Sequence, residues 1–507
     1  MIFDFDAILA AFNLLTGSWE PWIVVPPGLI IGLVFGAIPG LSISMGMAVF
    51  LPMTLYMDFV PAMLFLTSIF TGGTFGSAVP AILMNIPGSA TAVATAFDGY
   101  PMAKQGRHNE ALGLALAAST FGTAVGYLIL FVLIQPIADL VLRIGPPEMF
   151  LIVVWGLTMI AAVRGHHFGR GILAGALGTL IGTIGFSQIG VVRGTMGIDE
   201  MLDGIPVVPA MIGLFAASEL FNLMQKKYLV DDPEARRLNF RGILTGFRQA
   251  FSYPVVLLRG SLIGTLIGAV PGVGGSIANL ISYAETKRRA KKGETFGDGN
   301  PKGVVASEAA NSSSEGGSMV TLLALGLPGG SGTAVMLAAF AMHNINGGPR
   351  FIRENTDIVY AIVFSNFAQT IALMLIGLMF VHLLASVVRV PLRVLIPSVL
   401  ALSVMGSYGL VQNMSGPYTV LVFAILGWVM RRYNYSAAAM VIGLLLGPMA
   451  EAELLRSYQL GGSDLTYVLF RPGVLFIIFA LALAAAAPRL YRWWTARSAR
   501  QLPNSSE

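Results

Sequence analysis

The sequence predicts an all-α polytopic membrane protein, with about a dozen transmembrane or re-entrant helices in two inverted-topology repeats broken at Pro-Gly motifs. Three observations predict it. The 507 residues are 55% hydrophobic and only 11% charged, with a mean hydropathy of +0.75. Long apolar runs recur along the whole chain. Two Gly- and Pro-rich motifs of the first half return in the second half, in the same order.

A soluble domain carries about 25% charged residues. A chain this apolar lacks the groups to cover a water-facing surface, and lipid as solvent removes that requirement. Apolar runs lie at 23–38, 112–134, 149–163, 207–224, 357–386, 393–411, 416–430 and 473–487. A spanning helix needs roughly 20 mostly apolar residues. These runs lack the alternation of a membrane barrel, so helices must satisfy the backbone in lipid. The 59 Gly and 27 Pro favour close helix approach and broken helices. With no cysteine, disulfides, thiolate metal sites and cysteine nucleophiles are excluded. The start MIFDFD has no basic n-region, so the first span is expected to direct insertion itself. The net charge of +5 reports cytoplasmic loops rather than a nucleic-acid partner.

The repeat rests on two ordered pairs. Gly28, Gly32, Gly36-Ala37-Ile38-Pro39-Gly40 matches Gly260, Gly264, Gly268-Ala269-Val270-Pro271-Gly272 at a constant offset, 260 − 28 = 232. Small residues four apart share a helix face, and Pro-Gly then ends the helix. The stretch Asn85-Ile86-Pro87-Gly88-Ser89-Ala90-Thr91 matches Gly326-Leu327-Pro328-Gly329-Gly330-Ser331-Gly332-Thr333 with one inserted residue. Each is preceded by a glycine pair, Gly72-Gly73 and Gly316-Gly317. The expected division is 1–225 for the first repeat, 226–250 for a basic cytoplasmic linker, 251–472 for the second repeat, and 473–507 for a terminal helix and basic tail.

Charge orients the halves. No Lys or Arg precedes Lys104, whereas Lys226, Lys227, Arg236, Arg237, Arg241 and Arg248 crowd the linker. The 284–303 loop and the tail after Arg489 are also basic. Lys and Arg accumulate on the cytoplasmic side, which places these three segments there and the N-terminus outside. The first motif leads to a loop near Asp58 without Lys or Arg, and its counterpart to the basic 284–303 loop. Equivalent loops thus fall on opposite faces, the expectation for an inverted repeat.

A broken helix exposes backbone N–H groups and the positive end of its dipole, which suits an anion near the membrane midplane. The expected substrate-binding set is Pro39, Gly40, Ser42, Asn85, Pro87, Gly88, Ser89, Thr91, Pro271, Gly272, Asn279, Asn311, Pro328, Gly329, Ser331 and Thr333. Ser44 and Ser276 flank them. Taken singly, each hydroxyl or amide reads as a helix-packing group; the binding reading rests on the symmetric set. Glu308 and Glu315, seven apart, share a helix face, and an ionisable residue inside a span is a functional candidate. With Asp98 they form the expected ion-coupling set; Asp98 reads equally as a helix-end cap, and Glu308 as the edge of the basic loop. The five histidines include no HExxH, no Gly-Lys dipeptide provides a Walker A loop, and no GxSxG elbow occurs. Enzymatic chemistry, metal binding and ATP hydrolysis are therefore not expected.

These residues resemble one family, the large membrane (permease) subunit of the tripartite tricarboxylate transporters. The resemblance is carried by Gly36-Ala-Ile-Pro-Gly-Leu41, Ala81-Ile-Leu-Met-Asn-Ile-Pro-Gly88, Phe97-Asp-Gly-Tyr-Pro-Met-Ala-Lys-Gln-Gly106, Gly268-Ala-Val-Pro-Gly272, Glu308-Ala-Ala-Asn311 and Leu325-Gly-Leu-Pro-Gly329. It implies a secondary active importer in the bacterial cytoplasmic (inner) membrane. Its partners would be a periplasmic solute-binding protein, a small membrane subunit and a di- or tricarboxylate such as citrate. It implies no cofactor, with sodium or the proton as coupling ion. Two departures stand out: Ser312 follows Asn311 where the family commonly has a second Asn, and Gly76-Ser77-Ala78 stands where Gly-Gly-Ser is common. The competing readings are an anion channel, which needs no delivery protein, and a non-transporting scaffold subunit, which needs no matched breaks.

Overall fold

The computed structural model describes residues 4–38, 41–141, 145–162, 168–187, 191–223, 239–271, 274–291, 293–387, 392–462, 464, 466, 470–475 and 478–479. Pro39, Gly40, Gly272, linker residues 226–238, His166-His167 and the end of the 473–487 run lie outside them.

The described chain is almost wholly helical. The first half holds α1 (Phe5–Thr16), α2 (Glu20–Ile23), α3 (Val25–Ala37), α4 (Ile43–Phe50), α5 (Phe59–Gly76), α6 (Ala78–Met84), α7 (Val93–Lys104), α8 (His108–Val141), α9 (Pro146–Ala162), α10 (Phe168–Gly182), α11 (Val207–Met211) and α12 (Ser218–Leu223). A two-residue antiparallel hairpin pairs Gly185–Phe186 with Val192–Arg193. The second half holds α13 (Phe240–Ala250), α14 (Pro254–Gly268), α15 (Gly274–Arg288), α16 (Pro301–Leu325), α17 (Ser331–Met342), α18 (Pro349–Glu354), α19 (Thr356–Val387), α20 (Leu392–Val411), α21 (Ser415–Arg432) and α22 (Ala437–Leu460).

Among the described residues, five helical stretches are long and apolar enough to cross a membrane: Glu20–Ala37, Phe59–Met84, His108–Val141, Thr356–Phe380 and Ala437–Leu460. α13 and α14 make a sixth if their 80° bend is counted as one broken span. Shorter apolar helices, including Ile43–Tyr56 and Ser331–Met342, complete the set. The chain is a multi-pass membrane protein. Two compact units are distinguished: residues 1–142 with 156–447, and residues 143–155 with 448–507. In the second, Glu148 accepts from the Gly145 N–H and pairs with Arg471 at 3.4 Å. The matched motifs all fall in the first unit.

There the two halves pack alike. A Cβ on Gly32 would stand 2.2 Å from the Ile69 carbonyl oxygen, and one on Gly36 would stand 2.4 Å from that of Gly73. The counterparts Gly264 and Gly268 meet the carbonyl oxygens of Ala310 and Ser314 at 2.3 Å each. The reciprocal contacts also correspond: Gly76 against Leu33, and Gly317 against Thr265. So α3 on α5 repeats as α14 on α16, residue for residue. Backbones this close exclude any side chain, which is why the small residues recur every fourth position.

The contacts match Gly73 to Ser314 and Gly76 to Gly317, an offset of 317 − 76 = 241. The glycine doublets that precede the two motifs stand 316 − 72 = 244 residues apart. Three residues is close to one helical turn, so the doublets are displaced by about a turn along similar faces.

Candidate functional site

Four helices begin at the breaks that the motifs predict: α4, α7, α15 and α17. Ser42 caps α4, its hydroxyl accepting from the Met45 N–H at 3.0 Å. The α6 and α16 ends match in detail. Asn85 and Gly326 both adopt the left-handed conformation, at φ 58° and 67°. The following N–H reaches back six residues in each case, from Ile86 to Pro80 and from Leu327 to Thr321, both at 3.4 Å. This is the cap that closes a helix C-terminus with a Gly or Asn. Pro87 and Pro328 then prevent continuation.

The structure brings the breaks together. Gly88 lies against the Gly36 carbonyl, where a Cβ would stand at 2.0 Å. Ser44 and Ser331, 287 residues apart, share a hydrogen bond of 2.5 Å. Gly274 lies within 4 Å of Gly329 and Gly330, and Gly275 faces Thr91, Asn311 and Ser314, each distance taken from the Cβ each glycine would carry. The N–H of Ala94, in the first turn of α7, donates to Asn279 Oδ1 at 2.8 Å. Four helix N-termini therefore converge, and the positive ends of four dipoles with them.

The predicted residues divide by what they touch. Asn279 is buried and fully engaged, its amide donating to the Ser307 carbonyl at 3.3 Å. Thr333 satisfies the Gly330 N–H and carbonyl. Ser89 and Thr91 bond each other at 2.8 Å and stay half-buried. Asn85 is exposed, whereas Pro271, Pro328, Gly88 and Gly329 are buried around the breaks. Asn311 donates to the Thr74 carbonyl at 3.3 Å, while its Oδ1 is buried without a hydrogen-bond partner. Among the described residues it is the one predicted amide with a buried, unused acceptor, and that oxygen faces Gly275.

The three acidic residues separate. Asp98 lies away from the breaks, inside α7, and is fully buried. Its Oδ1 accepts from the backbone N–H groups of Gly297, Gly299 and Asn300, at 2.8, 3.0 and 2.8 Å. Successive N–H groups in such a turn form an anion nest, and Asp98 is the anion that fills it. Gln105 adds a bond to the Asp298 carbonyl at 2.7 Å. α7 of the first half thus grips the loop that leads into α16; Asn300 caps α16 itself, accepting from Lys302.

Glu308 and Glu315 share one face of α16, as their spacing predicts. Every residue of this helix from Gly303 to Ala324 is buried, despite its polarity. Glu308 accepts from the Thr95 hydroxyl on one oxygen and from Ser119 on the other, the latter at 3.1 Å. Glu315 Oε1 accepts from Thr71 at 2.7 Å and from Tyr127 at 2.8 Å. Ser119, Thr123 and Tyr127, four apart on α8, were not singled out from the sequence. Their signal was the helical spacing of hydroxyls inside the apolar 112–134 run.

Against known proteins, residues 23–442 match the family model described as the tripartite tricarboxylate transporter TctA family. Two curated relatives come from Agrobacterium vitis. One, described as an uncharacterized 52.8 kDa protein in the TAR-I ttuC' 3' region, is 30% identical over 438 residues, 86% of this chain and 87% of the relative. The other, an uncharacterized protein in the TAR-II ttuC' 3' region, is 29% identical over 226 residues, 43% of this chain and 93% of the relative. No solved structure matches the chain. A family match over most of the length, on a multi-pass helical chain with paired helix breaks, leads to one assignment: the chain belongs to the tripartite tricarboxylate transporter TctA family.

Proposed function

We propose that the chain is the large membrane subunit of a secondary active importer of small di- or tricarboxylates, fed by a solute-binding protein in the periplasm. A small membrane subunit completes the complex in the bacterial inner membrane, and a sodium or proton gradient drives uptake. The two halves are inverted with respect to each other. The substrate carboxylates sit where α4, α7, α15 and α17 begin, held by backbone N–H groups and by Ser42, Ser89, Thr91, Asn311 and Ser331. One observation carries this reading: the breaks from both halves meet, bonded directly by Ser44 and Ser331. Four helix N-termini aimed at one region favour an anion without placing a lysine or arginine in the membrane.

The test is uptake into proteoliposomes holding this chain and its small membrane partner. Radiolabelled citrate is supplied with the cognate binding protein, with and without an inward cation gradient. Accumulation that needs both is the expected result. Equilibration that needs neither identifies a channel. Asn311→Ala is expected to lower uptake at least about tenfold, a loss of roughly 1.4 kcal/mol, with membrane abundance unchanged.

A further inference from the structure

The interface of α8 and α16 holds a polar file that the substrate reading does not use. The two helices run side by side, fixed at one end by Ser119 on Glu308 and at the other by Tyr127 on Glu315. Between these ends the backbones touch: Gly122 meets the Ala309 carbonyl, and Gly126 meets that of Ser313. Thr123 lies midway between Ser119 and Tyr127 on the same stripe of α8. Ser312 lies between the two glutamates on the same stripe of α16. Both hydroxyls are buried and neither has a hydrogen-bond partner. Glu315 Oε2 is likewise buried and receives no donor. At about 1.5 Å rise per residue, the two carboxyls are about 10 Å apart along the axis.

Among the described residues, neither glutamate forms an ion pair. The elements packed around them bring few charged groups. α8 brings Tyr127 to Glu315. α5 brings the Thr71 hydroxyl to Glu315, while the Thr74 hydroxyl turns back to the Thr71 carbonyl. Asp98 of α7 and Tyr283 of α15 lie against Gly303, five positions before Glu308. Arg259 of α14 precedes Gly260, which packs on Ala306 and Ala309. Arg350 and Arg353 of α18 follow Gly348, whose N–H bonds Leu323 at the other end of α16. A buried carboxylate without a counter-ion is costly enough that such groups are neutralised instead.

We propose that Glu308 and Glu315 are a proton-carrying pair, and that Ser312 and Thr123, with one interposed water, pass a proton between them along the α8–α16 interface. Glu315 carries its hydrogen on Oε2, the oxygen that no donor occupies. When that O–H bond breaks, the proton passes to the water, and each hydroxyl accepts one hydrogen as it gives up its own. The proton ends on Glu308, which accepts it only after releasing its own, and the hydroxyls and water return unchanged. Glu308 is the member nearer the loop gripped by Asp98, and it takes the Thr95 hydroxyl from the first turn of α7; Glu315 lies about two helical turns further on. This assignment names the coupling ion for the carrier proposed above, and rests on that reading for its purpose but not for its geometry.

Infrared spectroscopy of the purified chain in lipid tests it without any substrate. At neutral pH the protein should show a protonated-carboxyl C=O band that shifts in D2O. Glu315→Gln should remove it or a resolved part of it, and Ser312→Ala with Thr123→Val should slow its exchange in D2O at least about threefold. Sodium chloride and choline chloride should leave the band alike. A wild-type spectrum without the band overturns the proposal, as does a band unchanged in both Glu308→Gln and Glu315→Gln. Loss of the band in sodium chloride but not in choline chloride also overturns it, and makes the pair a sodium site. Because no carboxylate substrate is present, a failure here leaves the uptake test standing, and the reverse also holds.

Discussion

α3 on α5 and α14 on α16 are the same helix pair built twice, yet they carry different chemistry. In the offset that their contacts define, Thr67 stands where the second half has Glu308, Phe70 where it has Asn311, and Thr74 where it has Glu315. The glycine contacts are kept and the carboxyls are not. Even the lateral partners correspond: Ser119 of α8 bonds Glu308, and Gln369 of α19 bonds Thr67 at 3.0 Å. The repeat therefore keeps the backbone approach at Gly32 and Gly36 and at Gly264 and Gly268. The side chains turned towards α8 and α19 differ, and at these matched positions only the second half is ionisable.

The strongest way to break this comparison is to add bulk at an equivalent pair. Gly36→Leu and Gly268→Leu each place side-chain atoms against a backbone carbonyl, which cannot move aside as a side chain can. Each should cost about 3 kcal/mol or more and leave little folded protein in the membrane, measured by abundance and by size-exclusion profile. A variant that folds normally at either site would show that the two contacts are not equivalent.

A smaller effect separates the two matching caps. Asn85 and Gly326 share a left-handed backbone, which costs an ordinary residue roughly 1–2 kcal/mol. Asn85→Ala should lower thermal stability by about 1 kcal/mol, and Asn85→Gly should not. If Asn85→Gly keeps both stability and uptake, the side chain serves the turn alone. Loss of uptake with unchanged stability would place the amide on the substrate.

The smallest effect probes a charge pair present in the second half alone. Glu285, near the end of α15, is held down to about 2 by hydrogen bonds from Arg288 and Arg289. A carboxyl lowered on folding stabilises at pH above its unfolded value of about 4.3, and that contribution fades as pH falls towards 2. The Tm difference between the protein and Glu285→Gln should be slight at pH 7, smaller in high salt, and largely lost by about pH 2.

Much of this architecture was legible because it is local. Gly-x3-Gly spacing and Pro-Gly breaks act within a few residues, and the Asn85 and Gly326 turns follow from them. The face shared by Glu308 and Glu315 was legible for the same reason. What was not legible depends on which helix lies beside which. The sequence left Asp98 open between ion ligand and helix-end cap; its carboxyl fills the turn before a helix about 200 residues away. Asn279, expected at the substrate, has its amide tied to Ala94 and Ser307. The stripe Ser119, Thr123 and Tyr127 was read as part of an ordinary span, because three hydroxyls in an apolar run name no partner.

The grip of Asp98 on the 297–300 turn has a mechanical consequence. α7 starts at a break of the first half, and the turn it holds is the lead-in to the buried helix of the second half. A rotation or slide of α7 cannot leave that turn behind without stripping three N–H bonds from one carboxylate oxygen. Movement at the centre of the protein is thus written onto a loop at its edge. A reporter dye on that loop would follow the interior from outside, like the hand of a gauge.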